Sequence, residues 1–204
     1  MSVPLTQALG HTNMAIPIPF DDRIDRAGHL AVLARRFFDV WWYCEGSDTR
    51  PQILDAMNEF PEFFLFDSHA HLVALITHLA GLFESRKDTV NFEALISEAE
   101  SSDLVTPDTL AKAKVILGSV SALRPKVAIL RSNVFSHRSA SLSYENAFTL
   151  AAVTPYQLRD MVAAGMEIAN VLLAARRLPE AFYSGSTLEH LKGLLQVLAD
   201  RARG

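Results

Sequence analysis

At 204 residues, half of them apolar and 21% charged, the chain has the length for one domain with a buried core and the composition to fill it, which excludes wholesale disorder. A net charge of −4 excludes a protein that coats nucleic acid over its whole surface, and the single cysteine, Cys44, excludes an internal disulfide. Charge is unevenly spread: between Thr109 and Tyr144 stand six basic residues (Lys112, Lys114, Arg124, Lys126, Arg131, Arg138) and no acid, leaving 13 basic against 23 acidic elsewhere. That is the pattern of a local anion site on an acidic body; a solvated helix face is the plain alternative.

Residues 1–20 show no periodicity, hold Pro4, Pro17 and Pro19, and read as an extended arm, with 21–204 as a single helical domain. The N-terminus lacks a basic segment before an apolar stretch, and no apolar run reaches the ~18 uninterrupted residues of a membrane span. A cytoplasmic protein without membrane contact is expected, with Cys44 as a packed hydrophobe.

From Asp21 the apolar residues Ile24, Leu30, Leu33, Phe37, Phe38 and Trp41 recur at helical spacing, and Gly46 is a plausible stop. Pro61 opens the next long helix, whose stripe is Leu65, Leu72, Leu75, Ile76, Leu79, Leu82 and Phe83; "SRKDT" ends it and "NFEALISEAE" comes next as a short helix. Thr106-Pro107 starts a segment that runs toward Leu123, meets Pro125 and resumes through "KVAILRSNVFSHR", so Pro125 should kink it or split it. Thr154 to Gln157 has capping-box spacing before "YQLRDMVAAGMEIANVLLAARRL", and Ser186 to Glu189 repeats it before "HLKGLLQVLAD". No segment reads as a strand. The fold class is all-α, a bundle of long antiparallel helices with short connections.

Three segments bear on chemistry. In "LFDSHAHLV" Asp67, His69 and His71 look like the first metal ligands of an amidohydrolase-type site, but the flanking pattern is helical, where two residues diverge by about 200°. Such a barrel also needs ~250 residues and alternating strands. No metal and no cofactor are expected. In "LRSNVFSHRSA" an arginine that holds phosphate precedes an imidazole that moves protons, as Arg131 and His137. Chance supplies about one such pair in a chain of this composition. Indeed Arg23 to His29 is a second copy, but it stands among Asp21, Asp22 and Asp25, whereas Arg131 lies in the acid-free stretch. Arg124, Arg131 and Arg138 recur every seven residues and would align on an unbroken helix. Arg131 and His137 are not face-mates; they converge only if the helix loosens near its end or two copies meet across a two-fold axis. Asn133, four residues before His137, is a face-mate that would fix the ring or bond a ligand. The third segment, "SHRSASLSYE", lacks a nucleophile elbow, so its serines read as loop and cap residues.

"LRSNVFSHRS" resembles the R-x(4 to 6)-H signature of the HEPN superfamily, and more narrowly its AbiU-like abortive-infection branch. "ITHLAGLFESRKDTVNFEALI" and "VWWYCEG" are similar to further helices of that branch, over roughly residues 25 to 178. The resemblance implies a metal-independent endoribonuclease, a toxin or phage-defence effector, acting as a homodimer on RNA with Arg131 and His137 in one cleft. Arg138 matches the basic residue after the histidine; Arg124, Lys126, Ser132 and Asn133 complete the expected substrate contacts. An antitoxin protein is a further partner such a toxin would have. Ser132 and Ser139 depart from the branch's polar amide or acid and its aspartate. The departures leave a second reading open, a non-catalytic helical dimer that binds RNA, nucleotide or a partner protein.

Overall fold

The computed structural model describes residues 18–136 and 143–203, which form nine α-helices, one π-helical turn and no strand. Most of the expected N-terminal arm lies outside the described residues.

Helix α1 (Phe20–Glu45) begins after Pro19 with Asp21 and Asp22 in its first turn, where carboxylates complement the positive end of the helix. Its buried face is Ile24, Ala27, Ala31, Ala34 and Phe38, spaced by three and four, and it packs chiefly against α3 (Pro61–Phe83) and α8 (Pro155–Ala175). Gly28 allows the close approach to α8: a Cβ there would meet Leu173 Cδ1 and Ala181 Cβ at 3.2 Å. Gly46 does end α1, but with φ −65 it needs no left-handed freedom; a Cβ would strike the Trp42 carbonyl oxygen at 2.6 Å, the group that its own N–H bonds.

Helix α2 (Arg50–Asn58) was not expected. It buries Ile53, Ala56 and Met57 in a small second core with Cys44, Phe64, Leu195 and Leu198. Leu195 and Leu198 belong to α9 (Ser186–Arg203), which packs on α2. Burial, reinforced by Asp67 and Glu45, pushes the Cys44 thiol up to about 11, so it stays a neutral packing group.

Helix α3 buries Leu75, Ile76, Leu79, Leu82 and Phe83 in the main core. Leu65, which the sequence places in the same stripe, is instead 76% exposed: the main core meets only the later turns, and in the first turns it is Phe64 that turns inward, to the second core. Among the described helices α3 alone is long and apolar enough to cross a membrane, with 33% of its apolar window buried. Helix α4 (Phe92–Ser101) is capped by Asn91, whose side chain accepts the Ala94 N–H at 2.8 Å.

Thr106 caps α5 (Pro107–Ser119), and Pro125 does split the long segment: a turn through Leu123 separates α5 from α6 (Arg124–Leu130), with the proline in the first turn of α6 where no amide donor is needed. Helix α6 then widens into the π-turn Arg131–Ser136, which lies against α3. Helix α7 (Tyr144–Ala151) is capped by Ser143, so that serine of the expected loop cluster is a cap, and packs on α6. Thr154 and Gln157 form the expected capping box of α8. The second expected box does not form. Glu189 pairs with Lys192 and its N–H bonds the Gly185 carbonyl, because the positive-φ Gly185 precedes the helix and Ser186 already lies inside it.

Candidate functional site

The C-terminus of α3 organises the site. A helix end exposes carbonyls with partial negative charge, and here the next residue, Glu84, adds a carboxylate that is only 16% exposed. Two arginines from α6 and its extension meet it. Arg124 Nε donates to the Phe83 carbonyl at 2.7 Å while its Nη2 bonds Glu93; Arg131 Nη1 donates to Glu84 at 3.1 Å. Arg124 and Arg131, seven residues apart, thus meet the end of the same helix, though the helix between them changes character at Arg131.

Between them lies a cavity of about 290 Å³, with Leu79, Phe83, Val127 and Met161 as its apolar floor and Glu84, Arg86, Arg124, Arg131 and Ser132 at its polar side. Arg86 comes from the loop after α3. That loop is fixed by the fully buried Asn91, whose amide donates to the Arg86 carbonyl and to Thr89 Oγ1. The Arg86 guanidinium is held in turn by Asp88, at 3.0 and 2.6 Å, and this pairing keeps the Asp88 carboxyl below the usual carboxylate range. Arg86, Glu84 and Glu93 escape the sequence reading. Their partners are 31 and 47 residues away for the glutamates, a distance no local pattern records.

The basic stretch is acid-free in the chain but not in space. Lys112 pairs with Glu167 at 3.6 Å, Lys114 with Glu100 at 2.6 Å, Arg124 with Glu93 and Arg131 with Glu84. Lys126 stays outside the cavity lining. Its Nζ donates to the Ala152 carbonyl at 2.8 Å and so satisfies the end of α7, where Ala152 is left-handed at φ 46. Asn133 Nδ2 donates to the Ile129 carbonyl at 2.9 Å, a group of α6 four residues back. Of the expected substrate contacts, Arg124 and Ser132 share the Arg131 cavity; Lys126 and Asn133 have the partners just named.

Of the two routes by which Arg131 and His137 could converge, a loosened helix end and a two-fold contact, the described residues bear on the first alone: the helix widens from Arg131 onward. In a π-turn the backbone bond spans i to i+5 instead of i+4, a geometry often found at functional sites. It runs from Arg131 to Ser136. His137, Arg138 and Ser139 lie outside the described residues.

His69 and His71 stand on α3, where they diverge. His71 Nδ1 is bonded to the Asp67 carbonyl at 2.8 Å with its ring edge-on to Phe37, whereas His69 lines a separate cavity with Trp41, Leu65 and Phe148. Among the described residues no three His, Cys, Asp or Glu side chains form a metal-binding group.

A helical domain whose α3, α6 and π-turn bring an R-x(5)-H arginine to a polar cavity is the arrangement against which the family comparison stands. The HEPN family profile AbiU2 matches residues 18–176. The chain belongs to the AbiU2 family of HEPN proteins. It is therefore an abortive-infection HEPN protein, and the AbiU2 match spans α1 to α8 and stops before α9. Near the two ends of the AbiU2 region, Arg176 holds Asp21 at 2.7 Å and bonds the Leu104 carbonyl, tying the last matched residue to the first matched helix. Searches among curated proteins and among solved structures find no match.

Proposed function

We propose that this AbiU2 protein is a metal-independent endoribonuclease, a toxin or phage-defence effector, whose Arg131 and His137 act in the cleft of a homodimer. The observation that supports it is the Arg131 cavity: three guanidinium groups around a polar mouth, an apolar floor that accommodates a base or ribose, and the widened turn leading directly to His137. A guanidinium carries five N–H donors, and Glu84 engages Nη1, so a phosphate can be bound beside or in place of that carboxylate.

In the proposed reaction the ribose 2′-oxygen attacks its neighbouring phosphorus. One imidazole takes the 2′-hydroxyl proton, the bond from phosphorus to the 5′-oxygen breaks, and a second imidazole returns a proton to that oxygen. Arg131, with Arg124 and Arg86 near it, stabilises the charge gathering on the phosphoryl oxygens. In-line transfer needs groups on both sides of phosphorus, so a two-fold dimer would supply the second His137. Products are a 2′,3′-cyclic phosphate and a 5′-hydroxyl end. The test is an RNA oligonucleotide carrying one 2′-deoxyribose at a mapped cleavage position: cleavage should vanish there alone, and the other sites should yield cyclic phosphate ends. Cleavage at the deoxyribose overturns the mechanism.

The pairing of Arg131 with Glu84 and of Arg124 with Glu93 favours a second reading, in which the two arginines serve the end of α3 and the dimer binds RNA, nucleotide or a protein without cutting. Absence of cleavage in any RNA, with binding retained, would select it.

A further inference from the structure

We propose that the apolar groove crossing the start of α3 on both sides of Leu65 docks an amphipathic helix of a partner protein, one whose polar face carries Lys and Arg. The inference is independent of the nuclease reading.

The groove is two cavities that share Glu45 and Leu65. One, of about 200 Å³, lies between α2 and α3 and is lined by Leu54, Met57, Pro61 and Phe64 with Arg50 and Asn58; the other, of about 330 Å³, opens toward Trp41, Leu72 and Phe148 beside Ser68 and His69. Large apolar side chains face outward here: Leu65 and Leu54, which line the cavities, are 76% and 40% exposed, and Phe66, Phe63 and Phe60 beside them in the chain are 72%, 55% and 48% exposed. Aromatic side chains present ~150–250 Å² each when fully covered, so exposed aromatics at the start of α3 offer a partner substantial apolar area to bury. Paired cavities beside a central ridge are what a helix fills with anchors at i, i+3, i+4 and i+7.

Charge selects the occupant. Among the described residues Arg50 is the one Lys or Arg that lines either cavity, and it is paired with Glu45; from Pro51 to Ser85 the chain has no further Lys or Arg, while Asp55, Glu59 and Glu62 are exposed and Asp67 is partly so. Glu62 and Asp67 neighbour Phe66 and Phe63 at i, i+4, so acids stand among the exposed aromatic side chains at the start of α3. At the groove's junction Glu45 is bonded to Arg50 and to Ser68 Oγ. A second copy would bring the same net-negative face, and nucleic acid or an anionic membrane would be repelled by it in the same way. A helix with apolar anchors and basic flanks meets both requirements. Phe148 belongs to α7, the helix that segment 137–142 leads into, so the occupant would sit against the element following the motif.

The test uses the full chain and three labelled synthetic peptides of ~20 residues, read by fluorescence anisotropy. The first peptide has Leu at i, i+3, i+4 and i+7 with Lys elsewhere; the second scrambles the same composition; the third replaces Lys by Glu. The first should bind at least tenfold more tightly than either control. Its affinity should fall at least tenfold with Leu65→Ser/Phe66→Ser and with Glu59→Lys/Glu62→Lys, both at exposed positions and checked for unchanged melting. Equal binding of the scrambled peptide, or indifference to both double variants, overturns the proposal. So does sedimentation in which Leu65→Ser/Phe66→Ser turns a wild-type dimer into a monomer, since a second copy would then own the face.

Discussion

Arg131 and Glu84 set the balance of the site at the scale of single residues. The pair is partly exposed, 36% and 16%, so its contribution to stability is at most about 1 kcal/mol, while it competes directly with any phosphate for the same guanidinium. Glu84→Gln keeps the shape and removes the charge. RNA binding at fixed salt should tighten severalfold with little change in melting; weaker binding would mean that Glu84 positions the arginine for its ligand instead of masking it. His78 gives a second prediction. Burial, and secondarily the charge of His29, hold its pKa below the ordinary 6.5, and its ring stacks on Phe37 at 5.5 Å. The unfolded chain therefore takes up this proton near pH 6.5 and the folded chain only at lower pH. Between those values the unfolded state binds more protons, so stability falls as pH drops below 6.5 and levels off under the folded value. Denaturant titrations from pH 7.5 downward should show this slope reduced in His78→Gln; an unchanged slope assigns the dependence to other groups.

Among the elements, each helix edge was legible to the extent that its cause is local. Thr106 and the Thr154/Gln157 box act through their own hydrogen bonds, whereas Pro61, Pro107 and Pro125 act through a fixed φ and the absence of a donor that the first turn would leave unpaired; all mark helix starts in the structure. Thr154→Ala should accordingly cost about 1 kcal/mol, or roughly 2–4 °C in Tm for a chain of this size, measured by calorimetry. A loss within error would place the start of α8 under tertiary control. Ser186 and Glu189 have the same spacing but no box, since Gly185 with φ 71 fixes the entry to α9 one residue earlier. Helices α2 and α7, of nine and eight residues, are too short for apolar periodicity to stand out, and escaped the sequence. The π-turn escaped as well: a slip of one hydrogen bond leaves no periodic trace, although a loosened helix end was one of the two ways, beside a two-fold contact, for Arg131 and His137 to converge. The candidate site was legible in Arg124, Arg131 and Ser132, which share a cavity, and opaque in Glu84, Arg86 and Glu93, which reach it from other elements.

For the whole molecule, the AbiU2 region is closed by the Arg176 to Asp21 pair, while α2 and α9 build a satellite core around Cys44, with α9 lying beyond the family match. The acidic body and the basic stretch do not separate into two faces. Four of the stretch's five described basic residues neutralise glutamates across helix junctions, so RNA affinity should come from few phosphate contacts and decline only moderately with salt. The central claim is that Arg131 and His137 cleave RNA without a metal. Its most direct measurement is single-turnover cleavage of a labelled mixed-sequence RNA in EDTA by the wild type and by His137→Ala. A general acid or base contributes ~10² to 10⁴ in rate and little to ground-state affinity. The account predicts cleavage by the wild type and a loss of at least a hundredfold in His137→Ala with RNA binding retained; cleavage that survives the substitution, or that appears only on adding magnesium, would contradict it.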